Sequence, residues 1–187
     1  MFYTYLEEFQ KNKKLISIYL EGNSTRFNAG FIQAYNENYF IYISIAPEGK
    51  YDGVCLQKNE IVKIEYGGIY EKKLEQLIIA NGYKQKQINL EFNNHVDLLE
   101  QFLIYIKNNN RILTIELLDS GYDDVNGFIR SMDKEYCNIS SVNEYGFVDS
   151  NAIIRKEDIT RISFDSDLEI ELETLYTQNY PSIEKTK

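Results

Sequence analysis

The 187-residue sequence predicts a mainly β protein: two tandem, strongly bent, five-stranded antiparallel barrels, each with an N-terminal and a C-terminal helix. Three observations lead there. The chain repeats itself, each repeat holds five short apolar segments divided by tight turns, and segments of helical period precede and follow each set. Sliding the sequence by 97 residues lays Leu15–Glu60 over Ile112–Glu157 without a gap, with ten identities in 46 pairs. These include Ile18/Ile115, Gly30-Phe31-Ile32/Gly127-Phe128-Ile129, Tyr39/Tyr136, Gly49/Gly146 and Glu60/Glu157. One inserted residue moves the shift to 98, and Ile61/Ile159, Leu74/Leu172 and Leu77/Leu175 continue it. The predicted boundaries are 1–82 for the first repeat, 83–94 for a linker, 95–180 for the second repeat and 181–187 for a disordered tail.

Each repeat opens with a helix. Phe2, Tyr5, Leu6 and Phe9 recur at spacings of three and four, as do Leu98, Leu99, Phe102, Leu103 and Ile106. Basic residues close both segments, where the last helical carbonyls favour positive charge. Leu15–Leu20 and Ile112–Leu117 then alternate as first strands. Phe27–Tyr35 and Val125–Met132 form the second, each with a glycine near its start, and Tyr39–Ile45 and Tyr136–Val142 the third. The polar turns Asn36-Glu37-Asn38 and Asp133-Lys134-Glu135 separate strands two and three. Glu48-Gly49 and Tyr145-Gly146 supply the next turn, since glycine takes positive φ without steric cost. Strand four covers Tyr51–Gln57 and Val148–Ile154, and strand five Ile61–Tyr66 and Ile159–Phe164. Five short strands in so few residues read as a small bent barrel. The spacing of Tyr70, Leu74, Leu77 and Ile78 closes the first copy with a helix. Leu168–Leu172 alternates like a strand, but its partner Glu71–Ala80 does not, which decides for helix, with Asp165 or Ser166 as N-cap. Gln87–Phe92 alternates and suggests an extra strand in the linker.

Composition narrows the function classes. The net charge of −9 is carried by the second half: residues 1–94 hold eleven Lys/Arg and eleven Asp/Glu, residues 95–187 nine and eighteen. An acidic half repels a phosphate backbone at long range, so nucleic-acid binding would need a local site. The sequence shows no signal segment and no apolar run of membrane-spanning length, which predicts a cytoplasmic protein without membrane contact. Cys55 and Cys137 occupy non-equivalent repeat positions and read as single apolar residues in a barrel wall.

The helix, five strands and early glycine of strand two resemble the Sm-like (LSm/Hfq) fold. Val125-Asn126-Gly127-Phe128-Ile129, with Asp133 six residues after the glycine, is similar to the family's first motif. Ile153-Ile154-Arg155-Lys156-Glu157-Asp158-Ile159 is similar to the second. The chain also resembles a two-domain Sm-like group from low-GC Gram-positive bacteria. The resemblance implies RNA contacts at the turn between strands two and three and the turn between strands four and five. It marks Tyr35, Asn36, Asn38, Lys58, Asn59, Arg155 and Lys156 as candidate nucleic-acid-binding residues. The chain departs from the family at the base-clamping positions: the asparagine ten residues after the glycine is Phe40 or Cys137, and the Arg-Gly pair is Lys58-Asn59 or Arg155-Lys156.

No catalytic constellation accompanies these residues. His95 is the one histidine in the chain, at the start of a predicted helix, and reads as solvent-facing. One histidine and two separated thiols do not make metal spacings. Asp119-Asp123-Asp124 and Asp165-Asp167-Glu169-Glu171 hold oxygen ligands, but they fall in a hairpin loop and at a helix start, where carboxylates are stable unaided. The tyrosines are good half-buried strand residues as well as possible base-stacking platforms. The resulting expectation is a non-catalytic binding or scaffolding module without cofactor or metal. Its partner is a protein or, alternatively, RNA, and self-association through the edges of strands four and five is expected as well.

Overall fold

The computed structural model describes residues 2–21, 27–82, 92–94, 97–118 and 120–181. Residues 87–91 of the extra strand, His95, Asp119 and the tail beyond Pro181 lie outside them. The chain divides into two compact units, Met1–Leu99 and Glu100–Lys187.

In the first unit, helix α1 (Tyr3–Lys11) precedes strands β1 (Ile16–Leu20), β2 (Asn28–Tyr35), β3 (Tyr39–Ile45), β4 (Tyr51–Lys58) and β5 (Ile61–Tyr66), and helix α2 (Ile69–Ala80) closes it. Alternation sorts the side chains of its strands onto two faces. Ile16, Ile18, Ile32, Phe40, Tyr42 and Cys55 pack with Leu6 and Phe9 of α1. Leu15, Ala29, Ile43 and Ile45 pack with Leu74 and Ile78 of α2. Strand β3 lies between the two clusters and is buried at every residue.

The second unit repeats the order with α3 (Leu98–Asn108), which begins just before the unit boundary. Strands β6 (Leu113–Leu117), β7 (Val125–Met132), β8 (Tyr136–Val142), β9 (Val148–Arg155) and β10 (Ile159–Phe164) follow, then α4 (Asp167–Asn179). Ile112, Phe128 and Val142 pack with Leu172 and Tyr176 of α4, and the rings of Phe102 and Tyr105 on α3 meet Phe164 at 5.4 and 5.6 Å. Leu168–Leu172 is helical, with Ser166 as N-cap. The N3 glutamates Glu71 and Glu169, equivalent in the repeat, turn back to the Gly68 and Ser166 amides at 2.9 and 2.8 Å. They also accept from Ser17 Oγ and Ser163 Oγ at 2.6 and 2.8 Å.

The expectation of two Sm-like barrels is corrected by the pairing of the strands. In the first unit the strands form an open antiparallel run in the order β5-β1-β2-β3-β4, and in the second in the order β10-β6-β7-β8-β9. Closing a barrel requires the end strands of a unit to pair. Here β4 and β5 stand at opposite ends of the first unit's run, and β9 and β10 at opposite ends of the second's. The two clusters of the first unit give the physical reason. Its inner strands are apolar on both faces and each face meets a helix, so they are buried without rolling the sheet onto itself. The bends read as barrel curvature are register shifts, at Ile32/Ala34 and Ile43/Ile45 and again at Ile129/Ser131 and Ser141/Val142. Beside them, the strand-two glycines lie under a neighbouring backbone. A Cβ on Gly30 or Gly127 would meet the Ile43 or Ser140 carbonyl oxygen at 2.1 Å. Cys55 and Cys137 are buried in an open sheet rather than a barrel wall. Among the described residues, no helix is long and apolar enough to cross a membrane.

Candidate functional site

The β2–β3 turn of the first unit is built by its own asparagines. Asn36 Oδ1 accepts the amides of Asn38 at 2.9 Å and Tyr39 at 2.8 Å, an Asx-turn, while the Asn36 amide donates to the Tyr39 carbonyl at 2.8 Å. The β4–β5 turn is tied onto it. The Asn59 amide donates to the Asn38 carbonyl at 2.7 Å, and Asn59 Nδ2 to the Asn36 carbonyl at 2.8 Å. Lys58 lies opposite Tyr39 in the β3–β4 ladder and pairs with Glu60 at 3.5 Å. The five candidate residues of the first copy are therefore neighbours, but Asn36 and Asn59 spend their side chains on holding the two turns together.

The second copy uses the same device with charged residues. Asp133 Oδ1 accepts the amides of Glu135 and Tyr136, each at 2.8 Å, and these bonds hold its carboxyl below the usual range. The Lys156 amide donates to the Glu135 carbonyl at 2.9 Å, and its Nζ to the Asp133 carbonyl at 2.6 Å. Lys156 is buried and ion-paired with Glu100 of α3. Arg155 pairs with Glu157 at 2.8 Å and Asp158 at 3.0 Å. Both basic candidates of this copy are thus engaged by carboxylates, and Met132 stands where the first copy has Tyr35.

Beside the Asn36–Asn38 turn opens a groove of about 880 Å³, within the range of ligand sites. Helix α1 supplies one wall through Tyr3, Glu7 and Gln10, spaced so that they share a face. The Tyr3 and Tyr35 rings lie 6.0 Å apart at 33°. Asn94 Oδ1 accepts the Tyr35 amide at 3.2 Å, and Asp97 completes the rim. Three carboxylates, Glu7, Glu37 and Asp97, line the groove, and no lysine or arginine does among the described residues. Burial first, then Glu7, raises the Tyr35 phenol above its ordinary value. Burial, then Asp97 and Glu60, pushes Tyr39 up to about 12. Sequence reasoning reached Tyr35, Asn36 and Asn38 but missed Tyr3, Glu7 and Asp97. The spacing of three, four and seven along α1 was the available signal.

Other reactive groups make internal contacts. Cys137 is fully buried, and burial pushes its thiol up to about 11, away from thiolate chemistry. Asp124 accepts from the Leu117 amide at 2.7 Å and Ser120 Oγ at 2.6 Å, and Asp165 and Glu173 clamp Arg111 at 2.7 and 2.8 Å. No group of three or more potential metal ligands gathers among the described residues. No protein-family model, curated protein or solved structure matches this chain. With the open sheet, that absence removes the support for membership of the tandem Sm-like group.

Proposed function

We propose that this protein is a non-catalytic binding module whose partner is another protein, docked at the groove of the first unit. The observation that carries the reading is the groove's character: concave, faced by two tyrosines, and rimmed by three carboxylates. Aromatic rings supply contact area at little conformational cost. The carboxylates repel phosphates and so weigh against RNA, for which most affinity comes from neutralising the backbone. RNA binding through Tyr35, Asn38 and Lys58 is the competing reading. The same proposal allows two copies to associate through the outer strands β5 and β9, which expose Val62 and Ile153; light scattering of the purified chain tests this.

The deciding experiment is crosslinking of the tagged full chain in the cells that express it, with protein and nucleic acid analysed from one purification at low and moderate salt. The reading expects a stoichiometric protein that is lost from the Tyr35→Ser variant and is recovered without RNA. Recovered RNA that disappears on changing Tyr35 or Lys58 would overturn it.

A further inference from the structure

Resting on that reading, we propose that the groove of the first unit takes up a lysine or arginine side chain of the partner polypeptide. The Tyr3 and Tyr35 rings and the carboxylates of Glu7 and Glu37 are the groups that receive it.

The second copy supplies the template. There the corner between the β7–β8 turn and the helix already holds a cation. The Lys156 ammonium donates to the carbonyl of Asp133 and pairs with Glu100, leaving its side chain 8% exposed. Residues 97 positions earlier are Asn59, Asn36 and Tyr3. In the first copy the lysine is therefore an asparagine, which reaches only the turn carbonyl at 2.8 Å, and the glutamate is a tyrosine facing Tyr35. Among the described residues no ammonium of the chain lines the same corner, and carboxylates stand at it from α1 (Glu7) and from the turn (Glu37). Glu7 and Glu37 are exposed at the mouth, where a cationic side chain would meet them. Two tilted tyrosine rings offer the π-faces over which ammonium and guanidinium groups settle.

The test uses the ¹⁵N-labelled full chain titrated with capped glycine-serine heptapeptides carrying one central arginine, lysine or citrulline, and separately with oligouridylate. Arginine and lysine peptides are expected to shift the amides of Tyr35–Tyr39 with affinity in the millimolar range. The neutral citrulline peptide should bind about tenfold more weakly. Glu7→Gln/Glu37→Gln, at exposed positions that leave the spectrum dispersed, should weaken the cationic peptides about fivefold or more. Tyr3→Glu/Asn59→Lys rebuilds the ion pair of the second copy in the first and should abolish the shifts. Citrulline binding as well as arginine, or undiminished binding by the rebuilt variant, would overturn the inference. The two failures are separable. A crosslinked protein lost with Tyr35→Ser but indifferent to Glu7→Gln/Glu37→Gln would sink the cation pocket and spare the protein-binding reading, whereas oligouridylate shifting the same amides would sink both.

Discussion

Gly146→Ala tests how the strand-three-to-four turn is fixed beneath the closing helix. Gly146 has φ +76°, and a Cβ there would lie 2.5 Å from Leu175 Cβ, 2.6 Å from Leu175 C and 2.7 Å from Tyr176 N. Two of those atoms are backbone, so the turn or α4 has to move. Asn179 Nδ2 donates to the Tyr145 carbonyl at 2.9 Å and resists that movement. Gly121 is the control, with φ +75° and nothing among the described residues within 4 Å of its added Cβ. Left-handed backbone costs an alanine about 1–2 kcal/mol at either site. Forced overpacking adds about 1–3 kcal/mol at Gly146 alone. The totals are roughly 2–5 kcal/mol against 1–2 kcal/mol. With a urea m-value on the order of 2 kcal/mol/M, the midpoint falls by roughly 1–2.5 M for Gly146→Ala and 0.5–1 M for Gly121→Ala. Urea unfolding followed by far-ultraviolet circular dichroism reads both shifts. Equal shifts at unchanged m would show that the turn does not press on α4, and the argument for this docking would fail.

Two further predictions concern polar groups in the sheet. Asn138 Oδ1 is buried without a partner among the described residues, at the repeat position where the first copy has Ile41. Asn138→Ile should therefore stabilise the second unit by about 1–2 kcal/mol, seen as a higher urea midpoint, and a lower midpoint would contradict the assignment. The Tyr39 phenol, raised to about 12 by burial first and then by Asp97 and Glu60, binds its proton more tightly folded than unfolded. The stability linked to it is complete below about pH 10 and is lost as pH rises toward 12, with a slope of up to about 1.4 kcal/mol per pH unit. Tyr39→Phe should flatten that part of the stability–pH curve, and an unchanged curve would refute the linkage.

The local elements were legible because period and turn chemistry are local signals. The alternation of Ile16, Ile18 and Leu20, the Asn36–Asn38 turn and the repeat-based choice of helix for Leu168–Leu172 all correspond to elements of the structure. Closure was not legible. The same apolar alternation suits a strand rolled into a barrel and a strand covered by a helix, and only the partner of the second face distinguishes them. Tyr39–Ile45 reads as seven apolar or small residues, and nothing in that run says that α1 takes Phe40 and Tyr42 while α2 takes Ile43 and Ile45. The turn latches were missed for a related reason. Asn81 Nδ2 donates to the Glu48 carbonyl at 2.9 Å as Asn179 does to Tyr145, a repeat-equivalent pair that no spacing rule links to its turn.

The repeat also explains why one copy is the better candidate for binding. Two copies of one module need the same internal ties, and both have them: residue 59 or 156 holds the carbonyl of residue 36 or 133, and Glu71 or Glu169 caps its helix. What differs is how the corner beside the first tie is filled. In the second unit an ammonium and a carboxylate of the chain neutralise each other there, which fixes α3 against the β7–β8 turn and leaves little for a partner to gain. In the first unit the tie is a neutral amide, the helix presents a tyrosine, and three carboxylates face an open groove. Negative charge at a concave aromatic surface attracts a cation from outside, which is the electrostatic basis of the proposed uptake of a lysine or arginine. The divergence of the corners is therefore the reason the proposed recognition is assigned to the first unit rather than the second.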